Sequence, residues 1–392
     1  MELIIPREHQ RTIQPNSESR NTWVEIDARA FEHNLKSYKS LVGQALFAPV
    51  IKSNAYGHGM ELIARLCEQS PYVDWLCVIS VHEALQLRRN GIQKPILVLS
   101  IINDDLKAAI ALSIDLVLYD MNTAHMLNAY AQSLGLNVYV HIKIDTGLSR
   151  LGSLWYEATS FIRAVALLEH VVIRGIFTHF ADSESDDLTF CNLQIERFTG
   201  VLQELALVGI TIPLQHTSCS AATGAHSASH FTLARTGVGI YGLWPSPENK
   251  LKVQAQHPEF HLKPIINWKT RIIQIKTIPA GSYVGYDRTH QVTQATTIAT
   301  LPIGYWDGYD RGFSNKASMV VQGKTVRQVG RVAMNLTMID STGVSAHVGD
   351  EVTLLGNALG VTADDLATHL DTINYEVVTR INPLLPRVLC DK

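Results

Sequence analysis

The chain has no excess of charge of either sign: 33 Lys and Arg stand against 36 Asp and Glu, a net charge of -3. That balance gives no basic footprint for nucleic acid and no acidic solvating tail. No apolar run nears the roughly 18–20 residues of a membrane span; the longest clean one is Pro95–Ile102. Cysteine is sparse, with five scattered residues in 392 and no CxxC pair. This argues against a disulfide framework and for a reducing compartment. Residues 1–20, MELIIPREHQRTIQPNSESR, have neither the apolar stretch nor the cleavage site of a secretory signal. They read as a polar leader, and a cytoplasmic location is expected. His226 and His230 stand four apart but have no acid or third ligand in pattern, so a solvated face is expected there and no metal site.

What is present is an ordinary globular composition, 46% hydrophobic and 18% charged, long enough for two or three domains. From Thr22 to about residue 245 the chain alternates short β-branched runs with amphipathic stretches. Strands are predicted at Phe47–Ile51, Trp75–Ser80, Ile96–Ile101, Asp115–Tyr119, Val138–Ile144, Val171–Phe177, Ile212–His216 and around Gly237–Tyr241. Helices are predicted at Ala28–Leu41, His58–Gln69, Val81–Arg89, Met121–Ser133, Trp155–Glu169 and Leu188–Leu207. In the first of these, Phe31, Leu35, Tyr38 and Leu41 recur at helical spacing. The alternation fits an N-terminal TIM-like (β/α)8 barrel over 21–255. An open doubly wound sheet is the alternative, but no GxGxxG comes after the first strand. After Pro245 and Pro247 the pattern changes to short alternating strands, beginning with Asn267–Thr277, and glycine turns. A mostly-β C-terminal domain is expected over 256–392, with a helix Ala363–Leu370 capped by Thr362.

Barrels of this kind carry function at the C-terminal ends of their strands. The residues just beyond the apolar runs place Lys52, Tyr56, Arg150, His179, His216, Ser220 and Arg235 on one rim. A lysine at the end of an apolar strand is costly to desolvate, and burial lowers its pKa toward the neutral amine that attacks aldehydes. A surface lysine just past a strand is the alternative. Tyr56, Ser220 and the backbone N–H groups of Gly237 and Val238 could make a neutral phosphate cradle. An amine that attacks aldehydes beside a phosphate cradle points to pyridoxal 5'-phosphate.

The stretch Val50-Ile51-Lys52-Ser53-Asn54-Ala55-Tyr56-Gly57-His58-Gly59 resembles the cofactor-lysine motif of the alanine racemase family, fold type III pyridoxal-phosphate enzymes. Further blocks run in order from Thr22 to Leu389, among them Lys143-Ile144-Asp145-Thr146-Gly147, Thr178-His179-Phe180-Ala181, Gly330-Arg331-Val332 and Ile373-Asn374-Tyr375-Glu376. The resemblance implies interconversion of L- and D-alanine by two bases in a cytoplasmic homodimer, supplying D-alanine for peptidoglycan. A related racemase of the same fold acting on serine, lysine or several amino acids is the alternative. A non-catalytic cofactor carrier and a barrel aldolase are others, neither of which needs the tyrosine-bearing second domain.

The resemblance implies Lys52 as the cofactor-bound lysine and the base on the D-side. It implies Tyr286 as the base on the L-side, supplied by the β domain of a partner subunit. Tyr56, Ser220, Gly237, Val238 and Tyr375 would hold the phosphate. Arg150 would face the phenolic oxygen and the substrate carboxylate. Met334 and Tyr305 would reach the substrate across the dimer. Arg235 would face the pyridine nitrogen, with His216 and His179 orienting it. Lys143 lies on the inward face of its strand with Asp145. The resemblance implies an N-carboxylated lysine there that orients Arg150; an ordinary Lys143–Asp145 pair is the alternative. The chain departs from the family pattern at Leu148, Ser149, Cys219, Thr236, Ala333, Asn335 and Leu389, where the usual residues are Met, Gly, Asn, Pro, Cys, Asp and Tyr.

Overall fold

A computed structural model describes residues 21–102, 104–358 and 360–390; the expected polar leader, 1–20, lies outside the described residues. Two compact units are present, each discontinuous in sequence. One comprises Glu25–Asn267 with 355–390, the other Trp268–Leu354 with 21–24. The sequence predicts a leader over 1–20 and domains over 21–255 and 256–392; the segment carrying Tyr375 packs with the first unit.

The first unit is built on parallel strands. Six of them, Leu76–Ser80, Ile96–Ile101, Asp115–Leu118, Val138–Asp145, Val171–Phe177 and Leu214–His216, lie side by side in chain order. Leu233–Thr236 pairs in parallel with Leu46–Pro49. The curl is carried on by a Val50–Cys77 bridge on one side and by Thr232 N–H donating to Gln215 O (3.0 Å) on the other. Ala48, Val50, Trp75, Cys77, Leu97 and Leu233 bury together inside. This is the (β/α)8 arrangement, not the open sheet.

The helices start where the strands hand over a capping side chain. Asp27, Ser80, Asp105 and Asp120 each accept a hydrogen bond from a first-turn N–H, satisfying one of a helix's orphan donors. The helix Ala28–Val42 buries Phe31, Leu35 and Tyr38 as its spacing predicts, and buries Val42 where Leu41 is expected. Among the described residues no helix is long and apolar enough to cross a membrane.

Some expected elements shift: the helix expected at Trp155–Glu169 is Ala158–Val165, and the strand expected at Ile212–His216 is Leu214–His216. The strand expected around Gly237–Tyr241 is Leu233–Thr236, and Val238–Tyr241 is a 3-10 turn. The reason is room: a Cβ at Gly239 would sit 2.0 Å from the Tyr38 hydroxyl, so the backbone turns tightly against that ring. The run expected at Asn267–Thr277 divides into Ile266–Arg271 and Gln274–Ile278. The second piece pairs antiparallel with Thr296–Leu301, which in turn pairs with Thr337–Asp340. The β unit also carries the hairpin Ser318–Val321/Lys324–Arg327, turned at Gln322 and Gly323, both at positive φ (49° and 72°) as a tight two-residue hairpin requires.

The helix Ala363–Leu370 begins at Thr362 in a reciprocal box: Thr362 Oγ1 accepts from Asp365 N–H (3.1 Å) and Asp365 Oδ2 accepts from Thr362 N–H (3.0 Å). Thr362→Ala is therefore expected to lower stability by about 1 kcal/mol. Urea unfolding would show this as a lower midpoint at unchanged slope; an unchanged midpoint contradicts the cap.

Candidate active site

The first unit opens a cavity of about 650 Å³ at the C-terminal ends of its strands. Lys52, Tyr56, Lys143, Arg150, His179, Ser220, Arg235, Gly237, Val238 and Tyr375 all line it. His216 lies behind Arg235, fully buried. Tyr286, Tyr305 and Met334 belong to the β unit, where they are 68%, 43% and 55% exposed. Tyr305 and Met334 sit together there, since Tyr305 N–H donates to Ala333 O (3.1 Å) and Trp306 N–H to Met334 O (3.0 Å).

Lys52 leads into an unusual piece of backbone. Ser53, Asn54, Ala55 and Tyr56 all take left-handed φ (55°, 54°, 52° and 52°), which costs L-residues roughly 1–2 kcal/mol each. Side chains hold the turn. Glu83 accepts from Ser53 N–H (2.7 Å) with one oxygen and from Ile79 N–H (2.9 Å) with the other. Asn54 Oδ1 accepts from Met60 N–H (2.9 Å), and Arg387 donates twice to Gly57 O. His58, fully buried, directs Nδ1 at the carbonyls of Ala55 and Tyr56 (both 2.9 Å). Nothing in the local sequence pattern marks Glu83 or Arg387, which act from a helix and from the chain's end. The expected helix start at His58 moves to Met60 because this turn and Gly59 (φ 100°) precede it.

The cavity crowds positive charge. Four cations line it, Lys52, Lys143, Arg150 and Arg235, against two carboxylates, Asp182 and Glu184. The arginines cannot deprotonate, so the lysines yield. Burial, then the Arg150 charge, lowers the Lys52 amine. Burial, then Arg235 and Arg150, pushes Lys143 down to about 7. Lys143 lies over the Phe177 ring, 4.5 Å from its centre. Asp145 spends Oδ1 on Gly147 and Ser149 N–H groups (2.9 and 3.0 Å). Ser149, in place of the family's usual glycine, sits at φ 55°, a conformation glycine adopts without penalty.

A second group of lining residues is neutral. Ser220 Oγ accepts from Gly237 N–H (2.9 Å) and Gly239 N–H (3.2 Å), so its two lone pairs are used and its proton remains to be given to an anion. A Cβ at Gly237 would lie 2.4 Å from the Tyr56 hydroxyl; glycine is what lets that hydroxyl approach. Burial raises the Tyr56 and Tyr375 phenols, keeping both as O–H donors. Neutral donors around a small-residue gap suit a phosphate monoester, and a desolvated amine suits its aldehyde, so these residues fit pyridoxal phosphate. Cys219, at the position where the family carries asparagine, turns its sulfur to the Ser183 hydroxyl (3.1 Å).

Arg235 is pinned by its own strand neighbours. Nη1 donates to His216 Nδ1 (2.5 Å) and His216 O (2.8 Å), and Nη2 donates to Thr178 O (2.8 Å). Its guanidinium carbon lies 5.1 Å from the Phe177 ring centre. Desolvation lowers it to about 10, which still leaves the cation intact at neutral pH.

Comparison with known proteins covers both units of the chain. Residues 26–245 match the family model described as alanine racemase, N-terminal domain, and residues 265–389 match alanine racemase, C-terminal domain. The alanine racemase of Desulfovibrio desulfuricans is 38% identical over 372 residues, 94% of this chain and 98% of that protein. The alanine racemase structure from Clostridium difficile 630 superposes with a TM-score of 0.90 at 33% identity, covering 95% of this chain and 97% of that one. The Bacillus anthracis alanine racemase structure with bound L-Ala-P gives 0.85 at 30% identity, covering 95% and 96%.

Glu83→Gln tests the turn that carries Lys52. The amide can accept from one N–H only and points a donor at the other, so a loss of about 1–3 kcal/mol in unfolding free energy is expected. Wild-type stability for this variant would show that Glu83 does not hold the turn.

Proposed function

The chain belongs to the alanine racemase family, and from that premise we propose that it interconverts L- and D-alanine with pyridoxal phosphate, using Lys52 and Tyr286 as the two bases. The observation that carries the reading is the desolvated Lys52 amine in a cavity that also offers a neutral phosphate cradle. Tyr56, Ser220, Gly237, Val238 and Tyr375 would hold the phosphate, and Lys52 would hold the aldehyde carbon. The bound cofactor withdraws electrons from the substrate's Cα–H bond and makes that proton removable.

The remaining work falls to side chains. Racemisation takes a proton from one face of Cα and returns one to the other, so bases on opposite faces avoid swinging a single group around. Lys52, freed from part of its proton affinity by burial, takes and returns it on the D-side. Tyr286 does the same on the L-side. Arg150 binds the substrate carboxylate. Arg235 can only donate a hydrogen bond, so it would suit an unprotonated pyridine nitrogen, which would leave the ring a weaker electron sink and disfavour transamination.

Tyr286, Tyr305 and Met334 are exposed on the β unit, as are Trp306 and Leu336, 60% and 42% exposed. Exposed apolar side chains on this unit support a homodimer in which Tyr286 of one copy serves the cavity of the second. We place the reaction in the cytoplasm, where the five free cysteines are compatible with a reducing environment, and its D-alanine in peptidoglycan synthesis.

Purified enzyme with L- or D-alanine in deuterated water should show solvent deuterium at Cα together with the opposite enantiomer. Tyr286→Phe should slow exchange from L-alanine at least about 100-fold and exchange from D-alanine far less. Equal losses from both enantiomers contradict the assigned faces.

Lys143 supports a second step. A neutral amine adds to the carbon of CO2 and releases its N–H proton, leaving a carbamate anion that would orient Arg150. With its pKa at about 7, the amine is mainly neutral above that pH and protonated below it. Enzyme equilibrated with 13C-bicarbonate should show a carbamate carbon signal that fades as pH falls through about 7 and is missing in Lys143→Ala. No signal at alkaline pH overturns the assignment.

A further inference from the structure

A line of hydrogen bonds runs from the cavity down through the barrel interior to its opposite side. Arg235 Nη1 meets His216 Nδ1 at 2.5 Å, and His216 Nε2 meets His141 Nδ1 at 2.8 Å. His141 Nε2 meets Asp115 Oδ2 at 3.2 Å, and Arg174 Nη1 donates to Asp115 Oδ1 at 2.8 Å. His216, His141 and Asp115 are all fully buried, while the Arg174 side chain is 30% exposed.

Donor counting leaves one arrangement of protons. A guanidinium has no acceptor, so His216 Nδ1 must present its lone pair to Arg235. The His216 proton then sits on Nε2 and is donated to His141 Nδ1. His141 in turn carries its proton on Nε2 and donates it to the Asp115 carboxylate. Reversing either ring would set donor against donor or leave the carboxylate facing a lone pair. Burial and the Arg235 charge hold His216 well below its ordinary range, and burial lowers His141, so both rings are neutral as this pattern demands.

The neighbourhood is shaped for these rings. A Cβ at residue 175 would lie 2.1 Å from His141 Nδ1, so Gly175 leaves the space the imidazole fills. Phe177 stacks on His216 with ring centres 4.9 Å apart and planes 7° from parallel, and Trp75 meets His141 edge-on at 5.6 Å. A buried carboxylate is costly unless paired, and here Arg174 and His141 take its two oxygens. Every N–H in the line points toward Asp115, so the carboxylate's charge is transmitted to Arg235 as a fixed set of dipoles.

We propose that His141 and Asp115 are positioning residues for the reaction: they hold His216 in the tautomer that receives Arg235, and so fix the guanidinium that faces the cofactor ring. The inference rests on the role given to Arg235 above and extends it to two residues deep in the barrel.

The test uses 15N-histidine-labelled holoenzyme, in which long-range 1H–15N NMR reads the protonated nitrogen of each ring. His141 and His216 should both be neutral and protonated at Nε2. His141→Leu, which fills the space without polar groups, should change the His216 tautomer, shift the cofactor absorption band and lower kcat about 10–100-fold with a smaller change in KM. His141→Gln can accept from His216 and donate to Asp115, and should restore kcat to within about threefold. A purely packing role would rank Leu with Gln or above it.

Wild-type His216 protonated at Nδ1, or equal kcat in the Leu and Gln variants, overturns the proposal. Should His141→Leu not fold, Asp115→Asn and the wild-type tautomers decide it: the carboxamide should lower kcat by a similar factor and redistribute the His141 tautomer, and unchanged values overturn the relay. Wild-type enzyme inactive on alanine would sink the functional reading while leaving the tautomer measurement intact.

Discussion

Crowding of positive charge at the mouth of the barrel, around the buried Lys143 and Arg235, is the constraint on which the site depends. Two arginines and two lysines share one cavity, and only the lysines can relieve the repulsion by losing a proton. Desolvation and the neighbouring guanidinium lower Lys52, making its amine more available as a nucleophile and base. The same repulsion makes the cavity receptive to anions: a phosphate ester, a substrate carboxylate and a carbamate on Lys143 would each lower its electrostatic cost. Covalent cofactor binding, proton transfer and substrate orientation thus arise from one arrangement of charges.

Holding that arrangement requires the scaffold to accept strain. Four consecutive residues after Lys52 lie at left-handed φ, and at roughly 1–2 kcal/mol each the turn would relax if left to itself. Glu83, His58 and Arg387 bind backbone groups of the turn and of Gly57 after it, and Asn54 within it ties it to Met60 N–H. Local strain at a reactive residue, over-determined by its surroundings, is a common feature of active sites. Here it sets where the lysine stem leaves the strand.

Much of this was legible in the chain. Ile96–Ile101 and Val171–Phe177 are apolar runs whose bounds the structure repeats, and Lys52, Arg150, His179 and Ser220 were readable as residues just beyond strands that share one rim. The last barrel strand was not, because Arg235 and Thr236 interrupt its apolar run while the more apolar Val238–Tyr241 turns under Tyr38. The left-handed turn left no trace in propensity, since long-range partners impose it. His141 shares the inward face of Lys143 by strand alternation, yet its partner Asp115 opens an apolar strand and becomes meaningful only when the barrel brings strands together. The discontinuous units were likewise hidden, since residues 355–390 join the barrel through tertiary packing that local pattern does not record.

The central claim is that the Lys52 amine is the group that takes the cofactor aldehyde. The direct measurement is borohydride reduction of the purified protein after addition of pyridoxal phosphate, with peptide mapping of the product. A phosphopyridoxyl label on Lys52, missing in Lys52→Ala, is the result predicted. Label spread over surface lysines with Lys52 unmodified, or no label at all, would contradict the account.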